Sequence, residues 1–392
     1  MTARCTGRLV VTALIALLLI AAPPVLPRMS AQGPSGWMVS SPQMATSRAV
    51  LAYWTPARMA AAIPRDLPTL SVSLKGARGP VTPPTGQPVF APGNEPGFAP
   101  GPAIRAPAKV QGGTPETLVD AFSYPYPFNR YQVFPITVTP FAVYQNYPFR
   151  THGKLFFTLG TTNYVCSATS VTSGDGGNQS LVWTAGHCVH AGSGGAFATN
   201  VVFVPAYRDG AAPFGSWTAY TLYTFTEWAT NGNLKQDFGV VVVRRRVSDG
   251  ARLGSVIGTL GLATSLTDYQ MYHSFGYPAA TQSVWPNTAF NGNRMWSCQA
   301  PASRRVTEYN PSGAGPAPVA MGCDMTGGCS GGGWVMGFNE GYSMGWHVNG
   351  GYINGLNSWR WSNEPRAMHS PYHGTEALSI WNSARVVSVP WP

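Results

Sequence analysis

Charge is scarce in this chain: only 10% of the 392 residues are Asp, Glu, Lys or Arg. With 45 glycines and 35 prolines alongside, there is little material for long helices, and short strands joined by turns are expected instead. Long apolar runs are also nearly absent. One lies at the N-terminus, and no other segment is apolar enough to span a bilayer. Paired metal-ligand spacing is missing too: His187 and His190 stand three apart, but no second pair accompanies them, so neither a catalytic metal nor any other cofactor is expected. The formal net charge of +10 raises nucleic acid as a partner, yet no aromatic-interleaved basic groove follows it. Residues 1–150 hold 12 of the 25 basic residues and only 4 of the 15 acidic ones, so the excess sits in the N-terminal part and nucleic-acid binding is excluded.

What is present begins with Arg4 and Arg8 ahead of the apolar run Leu9 to Ala22, closed by Pro23 and Pro24. This is a secretory signal pattern, with cleavage between Ala22 and Ala31; a membrane anchor is the alternative reading of the run. Residues 1–31 are accordingly read as signal peptide, which predicts a secreted, extracellular protein with no stable membrane insertion once the signal is removed. Export takes Cys5 away and leaves Cys166, Cys188, Cys298, Cys323 and Cys329, an odd number in an oxidising compartment.

From about residue 32 to residue 114 the chain is rich in Pro, Gly and Ala with no sustained period, which predicts a mobile linker or part of a propeptide with no core of its own. A short helical patch is expected at Pro115 to Phe122, and extended chain from Tyr124 to Phe149. After Lys154 the character changes. Leu155 to Leu159, Tyr164 to Val171, Leu181 to Ala185, Val201 to Val204 and Phe238 to Val243 are short β-branched or aromatic runs parted by turn residues, the pattern of an all-β barrel or sandwich. Near the end Ala377, Ile380, Trp381 and Ala384 share one helical face, predicting a C-terminal helix packed on the β-domain.

Two stretches carry chemistry. In Cys323-Asp324-Met325-Thr326-Gly327-Gly328-Cys329-Ser330-Gly331-Gly332 one serine stands among glycines, so the backbone can turn sharply and its N–H groups can converge on a substrate oxygen. Taken alone this is no more than a Gly-rich turn. In Val182-Trp183-Thr184-Ala185-Gly186-His187-Cys188 a strand runs into a turn bearing a histidine, which can take a proton from a serine and return it to a leaving group. A disulfide between Cys166 and Cys188 would be worth about 3 kcal/mol in the chain-entropy model and would help fix that turn.

Together, Thr184-Ala185-Gly186-His187-Cys188 and the distant Gly327-Gly328-Cys329-Ser330-Gly331-Gly332 resemble the trypsin/chymotrypsin-like serine peptidases. Lys154-Leu155-Phe156-Phe157 and Tyr164-Val165-Cys166-Ser167-Ala168 place the likeness nearer the secreted bacterial branch related to glutamyl endopeptidases. It covers about residues 147–388. The resemblance implies two six-stranded antiparallel β-barrels of chymotrypsin type with a C-terminal helix, preceded by a Pro/Gly-rich, mostly irregular region. The domains read 32–146 as propeptide or linker and 147–392 as peptidase. It further implies a serine endopeptidase made as a zymogen and acting as a monomer on polypeptide substrates, with a catalytically inactive binding protein on the same fold as the alternative.

The family's buried aspartate falls between histidine and serine. Asp209, Asp237, Asp249, Asp268 and Asp324 lie there, and Asp237 heads the apolar run Phe238 to Val243 as the family's aspartate does, giving the triad His187, Asp237 and Ser330. The resemblance also implies an oxyanion hole from the N–H groups of Gly328 and Ser330, and substrate lying along Tyr352 to Trp359, with Asn357, Ser358 and Trp359 as binding residues. Gly276-Tyr277-Pro278 resembles a recurrent turn of the branch. Specificity has two candidates: Asp324, six residues before the serine, for basic side chains, and His347 for acidic ones. Cys329 occupies the place of the aspartate that receives the new N-terminus in animal trypsins, so activation must work by another route, such as masking of the cleft. The second disulfide is expected at Cys298 and Cys323, leaving Cys329 unpaired, with Cys298 to Cys329 as its rival.

Overall fold

The computed structural model describes residues 37–71, 86–95, 127–133, 142–174, 180–267, 269–280, 290–301, 303–306, 315–338 and 350–391. The signal peptide expected at 1–31, the helical patch expected at Pro115 to Phe122, Asp268 and His347 lie outside the described residues.

Ahead of residue 142 the chain forms strands β1 (Met38–Pro42), β2 (Ile63–Pro64), β3 (Thr69–Leu70), β4 (Val89–Ala91) and β5 (Asn129–Gln132), with helices α1 (Ser47–Tyr53) and α2 (Pro56–Ala61) between β1 and β2. Thr46 and Thr55 cap the two helices by accepting from the N–H groups of Ala49 and Arg58.

Six antiparallel strands make the first barrel: β6 (His152–Leu159), β7 (Thr162–Val171), β8 (Leu181–Ala185), β9 (Thr199–Pro205), β10 (Trp217–Phe225) and β11 (Phe238–Val243). Pairing runs β10-β11-β8-β7-β6-β9 and returns to β10, so the ring closes without a free edge within it. All six residues of β11 are buried, which is why its sequence is an unbroken apolar run rather than an alternating one. Its outer side is covered by a further helix, α3 (Thr375–Arg385). The face foreseen for that helix is the one it buries, with Ala377, Ile380, Trp381 and Ala384 all out of solvent, and Trp381 Nε1 donates to Thr172 O at 2.7 Å.

The second half holds β12 (Gly261–Thr264), β13 (Tyr272–Gly276), β14 (Trp296–Ala300), β15 (Ser303–Arg305), β16 (Val319–Gly322), β17 (Gly333–Met336), β18 (Tyr352–Leu356), β19 (Arg360–Trp361) and β20 (Ala367–Ser370). One sheet runs β4-β12-β18-β17-β13-β14-β5 and a second β15-β16-β20. The Cys298–Cys323 disulfide ties them together at one side, and Leu356 N–H donating to Ser370 Oγ at 2.9 Å does so at the other. The architecture is all-β, a closed six-stranded barrel beside a second sheet system with one C-terminal helix.

A freely moving linker does not describe residues 37–71. β1 adds to the outer side of β10 in antiparallel register from Met38 opposite Phe225 to Pro42 opposite Thr221. Val50 and Trp54 are buried in the first barrel's apolar cluster, and Trp54 Nε1 donates to Asn200 O at 2.5 Å. This stretch lacks a period of its own because its apolar side chains enter a core that other strands build. β4 and β5 likewise extend the second sheet, pairing with β12 and β14.

Candidate active site

β8 and β11 are antiparallel with Ala185 opposite Phe238, so the residues just past Ala185 face the one just before Phe238. That register sets His187, in a 3₁₀ turn at Gly186–Cys188, against Asp237, which follows a 3₁₀ turn at Leu234–Gln236. The Cys166–Cys188 disulfide pins the histidine's turn to β7. Gly186 admits the carboxylate, since a Cβ there would lie 2.8 Å from Asp237 Oδ1.

Asp237 is fully buried and accepts three hydrogen bonds: from His187 N–H to Oδ1 at 2.7 Å, from His187 Nδ1 to Oδ2 at 2.8 Å and from Ser358 Oγ to Oδ2 at 2.5 Å. A buried carboxylate is tolerated on such terms because its lone pairs are met by donors. An ionised carboxylate accepts only, so Nδ1 carries the imidazole proton and Nε2 is left with its lone pair. Among the described residues Nε2 has no hydrogen-bond partner.

Ser330 sits in the turn between β16 and β17, and it too is buried. Two links hold its loop to β7: Ser167 N–H donates to Ser330 O at 2.7 Å, and Ser167 Oγ donates to Gly328 O at 2.9 Å. Gly328 has φ +94°, and a Cβ there would stand 2.7 Å from Tyr277 O, so both its backbone conformation and its surroundings require glycine. Its N–H donates at 3.0 Å to a carbonyl oxygen from far upstream, that of Arg65, and Ser330 Oγ donates to the same oxygen at 3.3 Å. One carbonyl oxygen is therefore held between the Gly328 N–H and the Ser330 hydroxyl.

The remaining foreseen residues divide between cleft and scaffold. Asp324 is ion-paired with Arg130 of β5. Asn357 spends its side chain inside the fold: Oδ1 accepts from Ser274 Oγ at 2.7 Å and Trp334 Nε1 at 2.8 Å, while Nδ2 donates to Phe275 O and Cys329 O. Ser358 faces Asp237, and Trp359 stacks on His369 with ring centres 4.1 Å apart. Asp209 and Asp249 pair with arginines at the surface. Cys298 bonds to Cys323, and Cys329 is a buried free thiol whose pKa burial pushes up to about 12. Among the described residues the metal-like cluster is Cys166, His187 and Cys188, but both sulfurs are joined to each other.

Sequence reasoning missed three participants. Ser358, expected on the substrate, also donates to the Asp237 carboxylate; Ser167 carries no signal beyond its motif, and the Arg65 backbone carbonyl leaves none. Arg360 is also engaged in the scaffold, donating to Met325 O and Pro365 O.

No protein-family model and no curated protein matches the chain. Solved structures do. The crystal structure of protease Anisep from Arthrobacter nicotinovorans aligns over 61% of this chain and 96% of its own, at 41% identity and a TM-score of 0.51. The thermostable serine protease AL20 from an extremophilic microorganism aligns over 61% and 98%, at 35% identity and the same TM-score. Three fifths of this chain thus account for nearly all of each relative.

Proposed function

The chain belongs to the trypsin/chymotrypsin-like serine proteases, and from that membership we propose that His187, Asp237 and Ser330 are its catalytic triad and that it cleaves polypeptides through an acyl-enzyme. The observation that carries this is Asp237 holding the His187 ring by Nδ1, which leaves Nε2 as the base. Ser330 Oγ attacks the scissile carbonyl carbon and its proton passes to Nε2. The developing oxyanion is met by the N–H groups of Gly328 and Ser330. Collapse of the tetrahedral intermediate expels the amine, which takes the proton from His187, and water repeats the sequence to release the acid. Asp237 stays ionised throughout and stabilises the imidazolium.

Export as a precursor is part of the same reading, supported by the basic-then-apolar N-terminal pattern and by two disulfides. Asp324 as a selector of basic side chains is disfavoured by Arg130, which pairs with its Oδ2 and with which a substrate would have to compete. The test is fluorophosphonate labelling of the secreted, processed protein. Peptide mapping should place the adduct on Ser330, and Ser330→Ala should abolish it. Labelling elsewhere, or undiminished labelling in the variant, sinks the assignment.

A further inference from the structure

Residues 63–70 cross the site just described. Ile63 and Pro64 of β2 pair in parallel with Tyr164 and Val165 of β7, and Arg65 N–H donates to Val165 O at 2.9 Å. Thr69 and Leu70 of β3 pair in parallel with Arg360 and Trp361 of β19, where Arg360 N–H donates to Pro68 O and Ser362 N–H to Leu70 O. The segment is thus strung from the first barrel to the second with its middle over the serine. There the Arg65 carbonyl takes the hydrogen bonds from Gly328 N–H and Ser330 Oγ. The fit extends to side chains. Leu67 is buried in the cluster that contains Met325 and Cys329, and Leu70 packs against the cluster that contains Trp228, Trp359 and Trp361. The backbone of Gly327 comes so near that a Cβ on it would lie 2.8 Å from Asp66 Oδ1.

A peptide so placed is either a substrate or an inhibitor, and hydrogen-bond direction separates the two. Attack requires the serine hydroxyl to donate to the base. Here it donates to the Arg65 oxygen, and His187 Nε2 has no partner among the described residues. In this arrangement the Ser330 hydroxyl is directed at the Arg65 carbonyl and not at the base. We propose that residues 63–70 are an intramolecular inhibitor, bound in the cleft mainly by backbone, and that their withdrawal is the activating step. This rests on the reading of Ser330 as nucleophile. It also answers how activity is restrained when Cys329 stands where an activating aspartate would be. Covalent attachment to the rest of the chain raises the segment's effective concentration at the cleft, so its contacts and those of β1 and Trp54 hold while the chain is intact and are lost once it is cut and diluted.

The experiment uses the full chain with the recognition site of a foreign protease inserted between residues 96 and 120, so that the leader is released from an already folded protein. Fluorophosphonate labelling of Ser330 is timed before and after cutting, at high dilution. Labelling should accelerate by at least about tenfold after release, and a synthetic peptide of residues 60–71 should restore slow labelling and compete with substrate. The same peptide carrying Leu67→Asp should not. In the uncut chain Leu67→Asp should itself accelerate labelling, whereas Leu67→Met should leave it slow. Equal labelling before and after release overturns the inhibitor while leaving the catalytic assignment intact. Hydrolysis of the Arg65–Asp66 bond as fast as that of an added substrate also overturns it, because the segment would then be a substrate. No labelling in either form overturns the catalytic assignment and the inhibitor with it.

Discussion

Ser358 Oγ and His187 Nδ1 donate to the same oxygen of Asp237, at 2.5 and 2.8 Å. The carboxylate is therefore oriented from two sides, and the serine fixes the angle at which the imidazole is held. Ser358→Ala removes a hydrogen bond to a buried charge, so stability should fall by about 1.5–3 kcal/mol in denaturant titrations. If roughly 1.4 kcal/mol of this is felt in the transition state, kcat falls about tenfold. The processed enzyme should show that loss in kcat with KM little changed. The effect should stay well short of the roughly ten-thousandfold loss expected of Asp237→Asn, which turns the histidine to the wrong tautomer. An unaltered kcat in Ser358→Ala would mean the serine plays no part in positioning.

Gly328→Ala tests the oxyanion donor. The added methyl meets Tyr277 O at 2.7 Å on a backbone with φ +94°, so the peptide plane must rotate and carry its N–H off target. Loss of one such donor costs about 10²–10³ in kcat. Ser330 should remain a nucleophile toward fluorophosphonate, labelling more slowly, and circular dichroism should show the β-fold retained. Full activity in the variant would remove Gly328 from the hole.

The parts of this molecule that could be read from sequence are those where one residue type has one use. A short, valine-rich continuous run from Phe238 to Val243 reads as a strand buried on both sides, and apolar residues at 377, 380, 381 and 384 share one face of a helix, as both prove to be. Glycines around a serine and a histidine beside a half-cystine belong together once they share a chain. The leader was opaque for an equally physical reason. β2 and β3 are two residues each, too short to show alternation, and Trp54 and Leu67 are buried in cores assembled by residues far along the chain. The Ser358 bond to Asp237 is not legible because sequence puts the residue on the expected substrate strand without saying which way its hydroxyl turns.

Cys329 stands next to Ser330, the proposed nucleophile, yet should be inert. Burial lifts its pKa to about 12, partly opposed by the Arg360 charge, so at pH 8 roughly one molecule in ten thousand carries the thiolate. Iodoacetamide at that pH should leave Cys329 unmodified in the native protein and modify it stoichiometrically in guanidinium, as read by mass spectrometry. Cys329→Ala should keep its activity within about threefold, since a free buried cysteine packs as a small apolar side chain. Rapid native alkylation would show that the thiol is reachable.

Stability, as distinct from catalysis, should depend on three histidines that burial holds neutral. His152, His369 and His373 are each pushed down to about 3 from an ordinary value of 6.5. The cause is desolvation, and the surroundings agree with it. His152 stacks on Phe275, His369 stacks on Trp359 with neither ring nitrogen partnered among the described residues, and His373 Nε2 accepts from Trp183 Nε1 at 3.1 Å. Indole N–H only donates, so protonating His373 at Nε2 breaks that bond. Folded-state values below the unfolded ones mean that the unfolded chain binds more protons between about pH 6.5 and pH 3. The stability contributed is thus full above 6.5 and lost as pH falls through that window. Calorimetry from pH 8 to pH 4 should give a flat Tm at the top and a decline below about 6.5, with unfolding taking up close to three protons at pH 5. His369→Phe keeps a ring on Trp359 without a titratable nitrogen and should reduce the uptake by about one proton. A Tm independent of pH between 7 and 5 would mean these rings are already charged, or already wet, in the native state.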